Sequence, residues 1–354
     1  MASKIERLWQ GHGLGSRLLL KPLAPLAWGM RGALAIRHRL TAVRRVERPV
    51  ISVGNLTVGG NGKTPLVLYL CHRLSAMGLR PVVVSRGYGR RQAGNMLAWS
   101  PGDPPADPSI FGDEPTWFTR RNPKVPVVVG ADRVAACRWA IDELKAEVLV
   151  LDDAFQHIRL ARDLDLVAVH AKAGLGNKQL LPAGPLREPP SALGRAHGLI
   201  FTYAEPDQQA GDLRRQHALP EQLPAAACKL QPVGFSTGLA LKPREFSHID
   251  RLWGLCGIAR PDGFVDTTLN AGFKLLGMDT WPDHAPFSMR RFEKVLQRAR
   301  RAGAEAILTT EKDLIKWPEA VQESISVLAL RMELSWLGDG DRIMDDLLAR
   351  AIAR

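Results

Sequence analysis

The segment Thr57-Val58-Gly59-Gly60-Asn61-Gly62-Lys63-Thr64 constrains the fold more than any other stretch of this chain. An apolar run, Pro49–Val53, precedes it and reads as a buried strand, and Thr64–Ala76 follows with apolar residues at helical spacing. Strand, glycine-rich loop and helix start, in that order, are the context that a Walker A phosphate loop requires. Glycines let backbone N–H groups close around phosphate oxygens, and the helix N-terminus adds a favourable dipole. Lys63 is then placed to reach the β and γ phosphates, and Thr64 to hold Mg²⁺. Thr57 stands where the pattern usually has glycine. The competing reading is a plain glycine-rich turn before a helix, and the ordered context argues against it.

Val148-Leu149-Val150-Leu151-Asp152-Asp153 supplies the companion. An apolar strand ending in acid is the Walker B arrangement, with its carboxylate at the crevice where α/β sheets take ligands. Asp152 and Asp153 are candidate Mg²⁺ ligands, directly or through water. On an extended chain they point to opposite sides, so one is expected on the metal and the other on water or loop backbone. Further β-branched runs at Pro81–Val84, Val125–Val129, Leu164–Val169 and Leu199–Phe201 alternate with helical spacing, as at Asp132–Leu144. That alternation predicts a parallel α/β sheet, a P-loop NTPase-type core.

Residues 205–248 are rich in Pro, Gln and Ala and read as a connection with little regular structure. A second α/β unit is expected after it. Its strands are Leu252–Leu255, Phe273–Gly277 and Ala306–Leu308, and its helices Asp262–Ala271, opened by an Asp cap, and Ser288–Ala302. A chain of 354 residues accommodates two domains at roughly 150 residues each. The organisation expected is a basic apolar membrane-associating segment (1–48), the P-loop core (49–204), a connecting segment (205–248) and a smaller C-terminal α/β domain (249–354).

Charge is concentrated at the start. The net charge is +12, and residues 1–50 hold ten basic residues (Lys4, Arg7, Arg17, Lys21, Arg31, Arg37, Arg39, Arg44, Arg45, Arg48) against Glu6 and Glu47. A basic end of this kind points to a polyanionic surface, nucleic acid or anionic lipid. Leu14 to Ile36 is rich in Leu, Ala, Trp and Met, but Arg17, Lys21 and Arg31 interrupt it and Pro22 and Pro25 are expected to break helical hydrogen bonding. It therefore reads neither as a membrane span nor as a signal peptide. Apolar residues mixed with Lys, Arg and Trp28 suit a segment lying in a membrane interface. The bland alternative is a basic helix packed on its own protein. Apolar residues at 45% and charged residues at 24% exclude wholesale disorder. Cys71, Cys137, Cys228 and Cys256 are too scattered for a disulfide framework or a structural zinc site, which fits a reducing compartment.

Several polar clusters sit just after strands: Ser85-Arg86-Gly87-Tyr88-Gly89, Gly112-Asp113-Glu114-Pro115, the rigid Leu181–Pro189 loop, Asp283-His284 and Thr310-Glu311-Lys312-Asp313. Singly, each reads as a solvated cap or turn. Together the strings VGNLTVGGNGKTP, SRGYG, GDEP, LDDAFQH, LPAGPLREP, PDH and TEKD resemble the tetraacyldisaccharide 4'-kinase family, from about residue 5 to about residue 320, with the last thirty-odd residues adding little. The resemblance implies ATP- and Mg²⁺-dependent phosphorylation of the 4'-hydroxyl of a tetraacylated glucosamine disaccharide 1-phosphate. The product would be lipid IVA, in lipid A biosynthesis. It also implies a P-loop core joined to a smaller α/β domain across a cleft that closes on ATP. An N-terminal helix would rest on the cytoplasmic face of the inner membrane of a Gram-negative bacterium.

By motif, Lys63 and Thr64 match the family's phosphate-loop pair, and Asp152 and Asp153 its Walker B acids. Asp113 of GDEP matches the catalytic Asp, and His284 of PDH the His that pairs with it. Ala285 stands where the family often has a second His. Asp113 would take the proton of the attacking sugar hydroxyl while His284 orients it, with Lys63 and Mg²⁺ supplying positive charge. The partners implied are the acylated disaccharide lipid and an anionic membrane surface; no protein partner is inferable. Nucleic acid is disfavoured, since only three Tyr occur and no basic–aromatic interleaving suits base stacking. A GTPase-type switch or metallochaperone would need a guanine reader, and Thr310-Glu311-Lys312-Asp313 has similar residues in the wrong order. A non-enzymatic membrane tether leaves the phosphate loop unexplained.

Overall fold

The computed structural model describes residues 8–9, 20–88, 90, 96–246, 249, 251–258, 261–283, 285, 287–318, 321 and 326–353. Lys4, Arg7, Arg17 and His284 lie outside them. The first long helix is α1 (Ala24–Leu40), entered through a 3₁₀ turn at Lys21–Leu23. Pro22 and Pro25 sit in the first turns of these two elements, where a missing N–H costs nothing. They start the helix rather than break it, which corrects the expectation for this stretch. Ala27 is buried, and Leu23 and Leu34 pack against the core.

The strands expected in the first half form and are buried on both faces. β1 (Val50–Gly54) leads through the glycine loop into α2 (Lys63–Ala76). β2 (Pro81–Ser85), β3 (Leu97–Trp99), α3 (Pro108–Phe111), α4 (Asp113–Arg121), β4 (Val127–Val129), α5 (Arg133–Asp142), β5 (Val148–Asp152), β6 (Leu164–His170) and β7 (Gly198–Thr202) follow. Ile51 and Val53 meet Leu66 and Leu70 of α2 on one face, while Val50 and Leu149 pack with α5 residues on the other. Helices on both faces are why these strands read as unbroken apolar runs. Asp132 caps α5 by accepting from Val134 N (2.9 Å) and Ala135 N (3.2 Å).

Residues 205–248 are not structureless. They hold α6 (Ala210–Gln216), β8 (Ala225–Thr237) and β9 (Lys242–Arg244). β8 is 13 residues long and pairs parallel to β7 at one end (Leu199↔Ala225). Along its length it pairs antiparallel to β13 (Ser326–Leu337), from Leu337↔Ala227 to Ala329↔Ser236, through a register shift at Arg331/Met332. Pro232 and a mixed burial pattern hide this strand from a period-two reading.

The second unit contributes β10 (Leu252–Cys256), α7 (Pro261–Asn270), β11 (Leu275–Thr280), α8 (Met289–Arg301), β12 (Ala306–Thr310), α9 (Glu311–Leu314) and α10 (Gly340–Ile352). Asp262 lies inside the first turn of α7 rather than capping it. Because β8 and β13 bridge the halves, one 13-stranded sheet runs β11-β10-β12-β13-β8-β7-β6-β1-β5-β2-β4-β3, with β9 on β8. The last thirty residues matter more than their sequence suggests. Met344, Leu347 and Leu348 of α10 join the core under α2, and the helix is tied to α2 by Tyr69 Oη to Asp341 (2.6 Å) and Arg73 Nε to Asp345 (2.8 Å). The four cysteines are all buried and free.

Candidate active site

The loop between β1 and α2 is built by its own side chains as well as its glycines. Gly62, at φ 66°, sits where an added Cβ would lie 3.2 Å from Thr202 and Leu230 side-chain carbons, so only glycine fits without strain. Thr57, the departure from the usual pattern, is used. Its hydroxyl accepts from Asn61 Nδ2 (2.6 Å) and its carbonyl from Asn55 Nδ2 (2.7 Å), closing the loop on itself. The Leu181–Pro189 loop buttresses this cradle. Val58 N donates to Pro185 O (2.8 Å) and Arg187 N to Leu56 O (2.7 Å). Thr64, at the second position of α2, is buried.

Charges converge on the Lys63 ammonium. Lys63 Nζ lies 3.6 Å from Asp153, and Arg187 Nη1 donates to both oxygens of the same carboxylate at 2.9 and 3.1 Å. Asp153 is not extended but turned to φ 49°, so the two acids do not simply face opposite ways. Burial pushes the Asp153 carboxyl up, but Lys63 and Arg187 outweigh it and the net shift is downward. Asp152 is different. Burial, then Asp153 and Glu114, raise it to about 6, and its Oδ1 has no hydrogen-bond partner among the described residues. A buried carboxylate oxygen left unpaired is costly unless a cation meets it. Burial lowers the Lys63 pKa, with Asp153 opposing.

The N-terminus of α4 enters from the other side. Gly112 (φ 95°) approaches the SRGYG loop so closely that a Cβ would lie 2.7 Å from Tyr88 O. Asp113 opens the helix, and Lys316 Nζ stands 3.7 Å from its Oδ2 and 3.0 Å from Asp313. Lys312 Nζ lies 3.4 Å from Glu114. Burial lowers the Lys312 pKa, yet Glu114 and Asp152 more than offset this and leave it raised. TEKD, singled out in the sequence without a role, thus brings Lys312 into the same electrostatic cluster as Lys63 and Asp152.

Glu311 anchors that contact. Its carboxylate accepts from Trp117 Nε1 (3.0 Å) and from the Ser236 hydroxyl, and lies 3.4 Å from Arg121 Nε, whose side chain is 1% exposed. One acid therefore ties α4 to β8 and α9. Glu188, whose role the sequence left open, is fully buried between Arg195 (2.6 Å) and His38 of α1 (3.2 Å). Arg37 of α1 also donates to Gln156 O (2.8 Å), just beyond the Walker B acids.

His157 ends the LDDAFQH string. Burial, then Arg133 and Arg162, lower its imidazole to about 4 from 6.5. The fold therefore holds it neutral. Its contribution to stability is complete above the unfolded value and is lost as pH falls through about 4. His157→Gln should accordingly flatten the fall of Tm between pH 6.5 and 4 relative to the unaltered chain. Identical slopes would show that His157 titrates as an ordinary imidazole.

The sheet, the glycine cradle opening α2 and the acid-ended β5 beside it define a P-loop nucleotide-binding α/β protein. Lys63, Thr64, Asp152 and Asp153 lie at strand C-termini or the helix start that follows, whereas GDEP follows the short helix α3 rather than a strand, and Asp113 opens α4; His284 lies outside the described residues. The chain belongs to the tetraacyldisaccharide-1-P 4'-kinase family (LpxK), whose model matches residues 19–352. That match takes in the C-terminal strand and helix and so extends the reach read from motifs. A tetraacyldisaccharide 4'-kinase of Anaeromyxobacter sp. (strain Fw109-5) is 38% identical over 366 residues, covering 99% of this chain and 97% of its own. Another, from Desulfotalea psychrophila, is 37% identical over 303 residues, covering 83% and 86%. The crystal structure of LpxK from Aquifex aeolicus in complex with ATP matches with TM-score 0.76 at 29% identity, over 94% of this chain and 99% of that one.

Proposed function

We propose that the chain is the ATP-dependent kinase that phosphorylates the 4'-hydroxyl of a tetraacylated glucosamine disaccharide 1-phosphate, giving lipid IVA in lipid A biosynthesis. The observation that carries the reading is the union of two groups of residues distant in sequence. The phosphate cradle with Lys63, Asp153 and Arg187 shares one charge cluster with the GDEP helix start, since Glu114 and its partner Lys312 act on Asp152 together with Lys63 and Asp153. The first binds and neutralises a polyphosphate, and the second presents a carboxylate to an acceptor. ATP is the donor that the P-loop and the Aquifex complex support.

Lys63 and Arg187 balance charge on the transferring group and hold Asp153 in place. Asp113 accepts the proton of the attacking hydroxyl, and Lys316 holds that carboxylate at the mouth of α4. His284 is assigned by motif to orient Asp113. Because the two lie in different halves of the chain, their pairing awaits cleft closure, which limits futile ATP hydrolysis. Mg²⁺ fits the residues present: Thr64 and the unpaired Asp152 Oδ1 would hold it, with Asp153 engaged by Lys63 and Arg187. When bound, it supplies Lewis-acid stabilisation of phosphate charge.

The acceptor is a membrane lipid, and α1 suits an interface at the cytoplasmic face of the inner membrane. Leu26, Trp28 (71%), Ile36 and Leu40 (80%) stand exposed on it among Arg31, Arg37 and Arg39. Among the described residues no helix is long and apolar enough to cross a membrane. Removing residues 1–40 should weaken binding to anionic vesicles more at low salt than at high salt. Salt-insensitive loss would point to apolar insertion alone. The activity itself is tested by incubating the chain with γ-labelled ATP, Mg²⁺ and the disaccharide lipid in detergent. Label appearing in the lipid is expected; ATP hydrolysis without lipid labelling overturns the reading.

A further inference from the structure

The contacts proposed for the membrane use only the outer face of the N-terminal segment. Its inner face is built as well, and two tryptophans show the division. Trp28 stands 71% exposed on α1, whereas Trp9 is 8% exposed. Trp9 Nε1 donates to Pro182 O (3.3 Å), and Trp9 O accepts from Asn177 N (3.0 Å). Asn177 in turn donates from Nδ2 to Ala183 O (2.9 Å). Trp9 therefore grips the entry of the Leu181–Pro189 loop.

The same segment grips the exit. His38, near the end of α1, lies 3.2 Å from Glu188, whose other carboxylate oxygen is held by Arg195 at 2.6 Å. Between the two grips, Ala27 of α1 shares one apolar cluster with Leu180, Ala183 and Leu186. The loop so clasped is the one that carries Arg187 and leans on the phosphate loop. Leu186 bridges Thr57, Pro185 O accepts from Val58 N (2.8 Å), and Arg187 N donates to Leu56 O (2.7 Å). Pro182, Pro185 and Pro189 fix φ at three of its positions, so a shift at one end is passed along the loop rather than absorbed.

We infer that Trp9 and His38 are positioning residues for phosphate transfer: they brace the two ends of the Leu181–Pro189 loop and so aim Arg187 at the transferring phosphate. The inference rests on the role given to Arg187 above. It makes the N-terminal segment part of the catalytic scaffold as well as a membrane contact. The two jobs use different faces, so substitution separates them.

Turnover is measured with the disaccharide lipid in detergent micelles, and binding to phosphatidylglycerol-containing vesicles is measured separately. Trp9→Ala removes the packing and the donor; Trp9→Phe keeps the ring. Trp9→Ala should lower kcat by about 10- to 100-fold, the cost of misplacing a reacting group by roughly 1 Å. KM for ATP should stay within about twofold, because the glycine loop closes on itself through Thr57 and Asn61. Trp9→Phe should recover most of the rate. Vesicle binding should be kept in Trp9→Ala and weakened in Trp28→Ala. The deciding measurement is a cycle with Arg187→Ala, read in single turnovers. Residues that act through one another are not additive, so Trp9→Ala added to Arg187→Ala should cost less than about twofold more. His38→Ala, at a side chain 32% exposed, should show the same non-additivity and carries the cycle if Trp9→Ala does not fold. Losses that multiply in the cycle overturn the brace, as does unchanged kcat in both single variants. A rate loss in Trp9→Ala that merely tracks lost vesicle binding overturns it too. Normal turnover in Arg187→Ala alone would instead sink the role of Arg187 on which the brace rests.

Discussion

Asp113→Asn should lower turnover by about 10²- to 10⁴-fold, the usual contribution of a positioned general base, with ATP affinity within about twofold of normal. Asn keeps the size of the side chain at the first position of α4 and removes its ability to take a proton. The phosphate cradle is made by other residues, on the other side of the site: the loop from Thr57 to Thr64, Lys63, and Arg187 through Asp153. Binding and proton transfer should therefore separate. Single-turnover transfer from labelled ATP to the lipid measures the first quantity, and equilibrium ATP binding the second. Near-normal turnover would remove Asp113 as the base. A parallel loss of ATP affinity would mean that the Asp113 side chain also acts on the nucleotide.

The second large effect is on stability. Glu311→Ala should cost about 3–5 kcal/mol, the range for breaking a buried ion pair from one side. Arg121 is 1% exposed and would be left with a buried charge and a weaker partner, Glu333 at 3.7 Å. Trp117 Nε1 and the Ser236 hydroxyl would lose their acceptor as well. Urea unfolding should show a lower midpoint with an unchanged slope. Glu311→Gln, which still accepts hydrogen bonds, should fall between the two. A loss below about 1 kcal/mol would place Glu311 among the weakly coupled surface pairs instead. Because Glu311 links α4 to β8 and α9, the Ala variant should also lose activity at temperatures where it remains folded.

That linkage bears on how the site assembles. The GDEP helix and the TEKD turn are separated by nearly 200 residues in sequence (Trp117 and Glu311 are 194 apart), yet they share hydrogen bonds and ion pairs. The N-terminal helix is joined to the same region from the other side, through His38 to Glu188 and Arg37 to Gln156 O. Contacts at α1 thus reach the loops that carry Asp153 and Arg187.

Much of this was legible in residue order. Lys63, Thr64, Asp152, Asp153 and Asp113 could be placed at strand ends and helix starts because local signals are strong there. Glycine at a left-handed turn, an apolar run ending in acid and a helix with acids in its first turn each have a cause within a few residues. The strands of the first half were readable for a related reason: burial on both faces makes them continuous apolar runs.

What lay beyond the chain's local chemistry was pairing. β8 carries Pro232 and mixed burial, so its identity as a strand depends on β13 lying against it, a partner about 100 residues away in sequence. The single sheet through both halves, the core position of α10, the bend at Asp153 that gives its carboxylate to Lys63 and Arg187, and the approach of Lys312 to Glu114 are all long-range. Sequence determined which residue types stand at the strand ends and helix starts, because φ preference, charge and hydrophobic period act between near neighbours. Tertiary structure alone decided which of them meet, because strand register and ion pairing act between segments whose separation along the chain holds no record of their distance in space.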